Sequence, residues 1–198
     1  MDPLEIAKNP ERVDLNPSDV LLDGLAAVVT GGGGGIGQGI ALGFARFGAD
    51  VAVLDVVPER AERTATLITD MGRDALGIVA DVMDADQVRA GIERAAAKFG
   101  RLDVLVNNAG GVRSQLFADM SERTIRRHVD INLMSMFWAT SAALPIMIGG
   151  GRGGSILNVG SIEGLRAAPT FSVYGACKAA MVGFTSTMAV ELGAHGIA

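Results

Sequence analysis

The sequence predicts a doubly wound α/β fold, a single domain built on one parallel sheet. Three observations lead there. Short continuous Val, Ile and Leu-rich runs alternate with longer segments of helical period from Leu25 onward. A run of five glycines, Gly31–Gly35, sits where the first strand gives way to the first helix. The second strand then ends on an acid, Asp55. Continuous apolar strands indicate a sheet covered on both faces. Strand–helix alternation with right-handed crossovers makes that sheet parallel.

The elements follow in order. Residues 1–24 hold three of the six prolines and show no clear period, so they read as a surface arm before the domain at 25–198. Ala26–Thr30 is a buried strand. The helix after the glycines carries Ile36, Ile40, Phe44 and Phe47 at helical spacing and stops at Gly48. Val51–Asp55 is the second strand, and Pro58 opens a helix to about Met71. Leu76–Ala80 is a third strand, followed by a helix over about Ala85–Phe99. Val104–Asn107 is a fourth. Ser121 is a candidate N-cap for a long helix toward Ile148, and Gly149–Gly154 reads as a loop. Ser155–Val159 is a fifth strand, and a last helix covers about Ser172–Gly193.

Composition narrows the function. The chain has 198 residues, 17 basic and 22 acidic, with a formal net charge of −5 and no basic block, which argues against nucleic-acid binding. The single cysteine, Cys177, cannot form an internal disulfide, and a cytoplasmic location is expected. Charged residues and prolines interrupt the N-terminus, so it does not read as a signal peptide. Ile131–Gly151 carries no charge, but its Asn132, Ser135, Thr140, Ser141 and Pro145 suit a buried helix better than a membrane span. His128 and His195 lack metal-ligand spacing. His128 is expected on a helix surface, and Cys177 is expected to be packed.

The glycine tract permits a tight turn and close approach of backbone to a pyrophosphate, at a helix end with unpaired N–H groups and a positive dipole. Two registers fit: Gly31, Gly35 and Gly37 as GxxxGxG, or Gly31, Gly34 and Gly37 as GxxGxxG. A flexible loop is the plain alternative. Asp55 lies near the usual distance for an acid that accepts from adenosine ribose hydroxyls, although a strand-end turn residue would look the same. No Arg or Lys lies between Gly31 and Gly37, and Val56 and Val57 follow the acid. A 2′-phosphate would meet Asp55 without an evident cation, so NAD is expected over NADP.

Tyr174, the only tyrosine, and Lys178 lie four residues apart on the last helix, hence on one face. Ser161 precedes Tyr174 by thirteen residues, just beyond the fifth strand, at the sheet end where ligands bind. Hydride transfer to or from a carbonyl carbon needs a proton donor or acceptor at the oxygen. A free phenol titrates at about 10, and a nearby ammonium favours its phenolate.

Taken together, Thr30-Gly31-x-x-x-Gly35-Ile36-Gly37, Asn107-Asn108-Ala109-Gly110, Asn132, Ser161 and Tyr174-x-x-x-Lys178 resemble the short-chain dehydrogenase/reductase family, in its 3-oxoacyl-reductase-like branch. The resemblance covers about Leu25 to Ala198, selects the GxxxGxG register and implies a Rossmann-like sheet. It implies that Tyr174 is the general acid/base. Lys178 would hold the nicotinamide ribose and make Tyr174 more acidic. Ser161 would bond the substrate oxygen, and Asn132 would hold a water in a proton relay. Asp81 and Val82 would contact adenine, and Asn107, Asn108, Ala109 and Gly110 would stabilise the sheet and border the cofactor. The bland alternatives are a turn residue at Ser161, a solvated Asn132 and a helix-capping Asp81. The resemblance also implies an alcohol or ketone substrate and a homodimer or homotetramer, paired through the helices that begin near Ser121 and carry Tyr174.

The match departs at the end of the chain. Members of the family continue into further strands and a substrate-covering segment, so the sheet is expected to miss its last strands, and a fragment of a longer protein is the expectation. A catalytically impaired NAD-binding or regulatory module and a purely oligomerising subunit are the competing readings. The Ser161, Tyr174 and Lys178 set favours the enzyme. Gly111–Phe117 and Ile162–Thr170 would wall the substrate site, with Glu163 and Arg166 facing it or solvated.

Overall fold

A computed structural model of the chain describes residues 21–198. Most of the expected arm, residues 1–20, lies outside the described residues. The domain alternates β1 (Ala26–Thr30), α1 (Gly35–Arg46), β2 (Asp50–Asp55), α2 (Pro58–Asp70), β3 (Ala75–Val79), α3 (Ala85–Phe99) and β4 (Val104–Asn107). Next come α4 (Glu122–Val129), a π-helical turn (Asp130–Met134), α5 (Ser135–Gly150), β5 (Ser155–Asn158) and α6 (Ser172–Leu192). The five strands form one parallel sheet in the order β3-β2-β1-β4-β5. This is the Rossmann-like arrangement expected, with strand bounds shifted by a residue at β2, β3 and β5.

Both faces of the sheet are covered, which explains the unbroken apolar strands. Val28, Ala52, Leu54 and Leu105 pack with α3 and α5 residues such as Val88, Ile92, Ala139 and Met147. Ala27, Val29, Val51, Val53 and Val106 face Ala41, Ala45 and Ile68 of α1 and α2. Each buried Val or Leu contributes roughly 1.5–3 kcal/mol against exposure. The apolar Ile131–Met147 stretch therefore belongs in part to this core. The helical run Glu122–Gly150 that contains it is the one segment among the described residues with the length and composition of a membrane span.

Local chemistry sets the helix ends. The Asp84 carboxylate accepts from the Asp86 and Gln87 N–H groups and caps α3, and the Gln87 bonds hold its pKa below the ordinary value. Ser121 caps α4 through the Thr124 N–H at 3.2 Å, as expected. The expected Gly149–Gly154 loop is corrected: Gly149 and Gly150 continue α5, which ends where Gly151 turns left-handed at φ 63°.

The chain end begins another lane of the sheet. Ile197 bridges Gly154 in parallel, and the Ile156 N–H donates to the Ala198 carbonyl at 2.8 Å. Beyond that point β5 is an open edge among the described residues, with Leu157 42% exposed.

Candidate active site

The carboxyl ends of all five strands open onto one cleft of about 760 Å³. In a parallel sheet that is where the strand order reverses and a crevice forms, here between β1 and β4. Of the residues singled out from sequence, the cleft is lined by Gly31, Gly35, Ile36, Asp55, Asp81, Val82, Asn108, Ala109, Gly110, Asn132, Tyr174 and Lys178. Gly37 lies just beneath, and Ser161 is not part of the lining.

The glycine loop is shaped by contacts that leave no room for side chains. Gly31 is left-handed at φ 63°, and a Cβ on Gly37 would run into the Gly31 carbonyl and the Asn108 amide. Asn108 Nδ2 donates to the Thr30 and Gly31 carbonyls, while Thr30 Oγ1 receives the Asn108 and Ala109 N–H groups. Thr30 thus ties the loop after β1 to the loop after β4. Gly34 is the N-cap of helix α1, which has no side-chain cap and no acid in its first turn. Its leading N–H groups are thus left without a capping side chain and can receive an anion. Ile36 stands 69% exposed at the cleft wall, a large apolar side chain left for a ligand to cover. These features, with a cavity of dinucleotide size, fit a pyrophosphate-containing cofactor.

Asp55 is buried and holds its own turn. One oxygen accepts the Gly33 N–H and the other the Val57 N–H, each at 3.0 Å. A carboxylate has about four lone-pair sites, so capacity remains for ligand hydroxyls. The expectation of no cation near Asp55 is corrected here. Arg60 and Arg63 of α2 line the same cleft, and Arg63 Nη2 donates to the Gly33 carbonyl at 3.3 Å. Asp81 does not cap α3, a task Asp84 performs; its Oδ1 accepts the Met83 N–H and tightens the turn after β3.

Asn132 sits in the π-helical turn between α4 and α5 and is wholly buried. Its side chain exchanges two bonds with the Gly111 backbone, Nδ2 to the carbonyl at 2.8 Å and the Gly111 N–H to Oδ1 at 2.9 Å. Nδ2 also donates to the His128 carbonyl at 2.9 Å. A polar side chain bonding the helix backbone in this way accompanies the widened turn, a form common at functional sites. It also rules out a solvated Asn132.

His128 is buried, not on the helix surface as expected. Its Nδ1 pairs with the Thr124 carbonyl and its Nε2 receives the Arg113 N–H, so the ring fastens the loop after β4 onto α4. Neighbouring Asn107 joins the sheet to α5 and β5 through Thr140 and Asn158.

Tyr174 and Lys178 share one face of α6 as the spacing predicts, with Lys178 Nζ 5.8 Å from the Tyr174 ring centroid. Tyr174 is half-buried, and Lys178 is only 3% exposed. Its amine donates to the Val159 carbonyl at 2.6 Å. Burial pushes the Lys178 pKa down, partly opposed by neighbouring Cys177. Cys177 is packed as expected, and burial pushes its thiol up. It is therefore predicted to resist a thiol-labelling reagent in the native chain and to react fully once denatured. Rapid native labelling would contradict its placement.

Ser161 begins a short 3-10 turn over Ile162–Gly164, and its hydroxyl donates to the Glu163 carboxylate. That bond holds the Glu163 pKa below its ordinary value. The sequence presents these two as separate pocket candidates, whereas the fold makes them partners.

A family model described as short chain dehydrogenase matches residues 25–198. The chain is 43% identical over 177 residues to oxidoreductase UcpA of Escherichia coli K12, covering 89% of this chain and 66% of that protein. The chain spans about two thirds of the length of the first curated relatives it matches. A 7 alpha-hydroxysteroid dehydrogenase complexed with NADH superposes at TM-score 0.88 with 34% identity, over 92% of this chain and 71% of that one. A short chain dehydrogenase from Burkholderia cenocepacia in complex with NADP superposes at 0.85 with 39% identity, over 89% and 71%.

Proposed function

The chain belongs to the short-chain dehydrogenase family, and from that premise we propose that it is part of an NAD-dependent oxidoreductase acting on a carbonyl or secondary alcohol. The observation that carries this reading is the convergence of Tyr174, Lys178 and Asn132 on the cleft that the glycine loop and Asp55 also line. A nicotinamide bound there would supply or accept the hydride. The residues do the rest. Tyr174 passes a proton to or from the substrate oxygen. Lys178 places positive charge beside that phenol and holds the ribose hydroxyls. Ser161 donates to the substrate oxygen after leaving Glu163. Asn132 keeps the Gly111 loop in place and would hold a water in a proton relay from Lys178. Asp81 and Val82 border the adenine, and a homodimer or homotetramer in the cytoplasm is part of the same reading.

NAD is favoured over NADP because the Asp55 carboxylate would repel a 2′-phosphate at the end of β2. Arg60 and Arg63 pull the other way, which makes Asp55 the deciding group. Asp55→Ala is expected to move the ratio of NADP to NAD affinity by at least about tenfold toward NADP, since two guanidiniums then face the phosphate unopposed. Titration of both cofactors checks this, and an unchanged ratio would overturn the NAD assignment. Ser161→Ala is expected to cut turnover roughly a hundredfold with NADH binding intact. The reading as a whole is tested by following NADH absorbance with a panel of alcohols and ketones.

A further inference from the structure

A second cavity, about 370 Å³, opens beside the cleft and shares Gly111, Val112, Arg127 and Ile131 with it. Its remaining wall is Arg113, Arg123, Thr124 and His128. Three guanidiniums thus border one small space in a chain whose net charge is −5. Arg123 and Arg127 are four residues apart on α4, the spacing at which like charges repel. Among the described residues neither they nor Arg113 pairs with a carboxylate, whereas Arg126 of the same helix is bonded to Glu122 at 2.7 Å. Glu122 and Asp130 border a neighbouring groove that Arg123 and Arg127 also line, but neither carboxylate lines this cavity.

The buried framework gives the arginines fixed roots. The His128 ring receives the Arg113 N–H, and Asn132 clamps Gly111, so the Arg113 segment is tied to the helix that carries the other two. The fold does not need the charges for packing, because all three side chains are exposed. Convergent guanidiniums match the planar, multiply accepting oxygens of carboxylate and phosphate.

We propose that Arg113, Arg123 and Arg127 form an oxyanion pocket beside the cleft, which takes the carboxylate or phosphate of an acidic substrate. The assignment of the anion to the substrate rests on the hydride-transfer reading; the binding of an oxyanion does not. Calorimetric titration of the chain with inorganic phosphate at low salt is the test, with NADH titrated separately. The double variant R113A/R123A is expected to bind phosphate at least about tenfold more weakly and NADH within about twofold of the parent. Both replaced residues lie outside the cleft lining. Equal phosphate affinity in parent and variant would overturn the pocket. Displacement of phosphate by NADH would also overturn it, since the anion would then occupy the dinucleotide site. A change in self-association with no change in phosphate binding would make the patch a contact between copies and sink the proposal.

The source of the anion is read from turnover of a keto acid against its methyl ester. A substrate-borne anion predicts a KM about tenfold higher for the acid in the variant and no change for the ester. A free-anion site predicts equal shifts for both. Absence of NADH binding with phosphate binding intact would count against the hydride-transfer reading alone.

Discussion

Tyr174→Phe is expected to lower turnover about a thousandfold while NADH binds as it does to the parent. General acid–base groups contribute roughly a hundred- to ten-thousandfold. The substitution removes one oxygen and keeps the ring, so the edge-on contact with Phe171, centroids 6.4 Å apart, persists. Lys178, the glycine loop and Asp55 are untouched. The loss therefore appears in kcat with little effect on cofactor affinity, the pattern of a group used in the transition state. Stopped-flow reduction with NADH, alongside a fluorescence titration of NADH, separates the two. Turnover within tenfold of the parent would remove Tyr174 from the chemistry.

Lys178→Met has the second largest expected effect, because one amine serves two purposes. Turnover should fall roughly a hundredfold or more as positive charge leaves the phenol. NADH affinity should weaken about tenfold as the ribose loses its donor. The fold should survive, because methionine fills similar volume and a costly buried charge is removed, although the Val159 carbonyl loses its 2.6 Å partner. Stability against pH gives a separate signature. The folded Lys178 pKa is lowered, so between it and the ordinary lysine value the unfolded state binds more protons. Stability from this group therefore rises with pH through that window, and the rise should be absent in Lys178→Met. Denaturation of both chains across alkaline pH checks the sign.

Local signals made the sheet readable. β1 and β4 are short apolar runs bounded by glycine, asparagine or a charge, and their two-sided burial leaves no other use for continuous Val and Leu. The cleft was readable because Gly31, Asp55 and Asn108 each sit at a strand end, where topology brings them together. What escaped depends on contacts between distant segments. His128 looks like one more polar residue on a basic helix until the loop after β4 presents the Arg113 N–H to its ring. Arg60 and Arg63 lie beyond the two valines that follow Asp55, and only the direction of α2 returns them to the cleft. The π turn has no pattern of its own, since it arises where the Asn132 side chain bonds both Gly111 and the His128 carbonyl. Ser161 lies beyond β5, where the spacing puts it, but its hydroxyl's partner depends on a 3-10 turn that spacing does not reveal.

A crystal structure of the chain with NADH bound would test the central claim most directly. The account predicts a dinucleotide along the cleft, its pyrophosphate at the start of α1, the Asp55 carboxylate on ribose hydroxyls, and the Lys178 amine moved from Val159 to the second ribose beside Tyr174. A dinucleotide bound elsewhere, or a nicotinamide directed away from the Tyr174 oxygen, would contradict it.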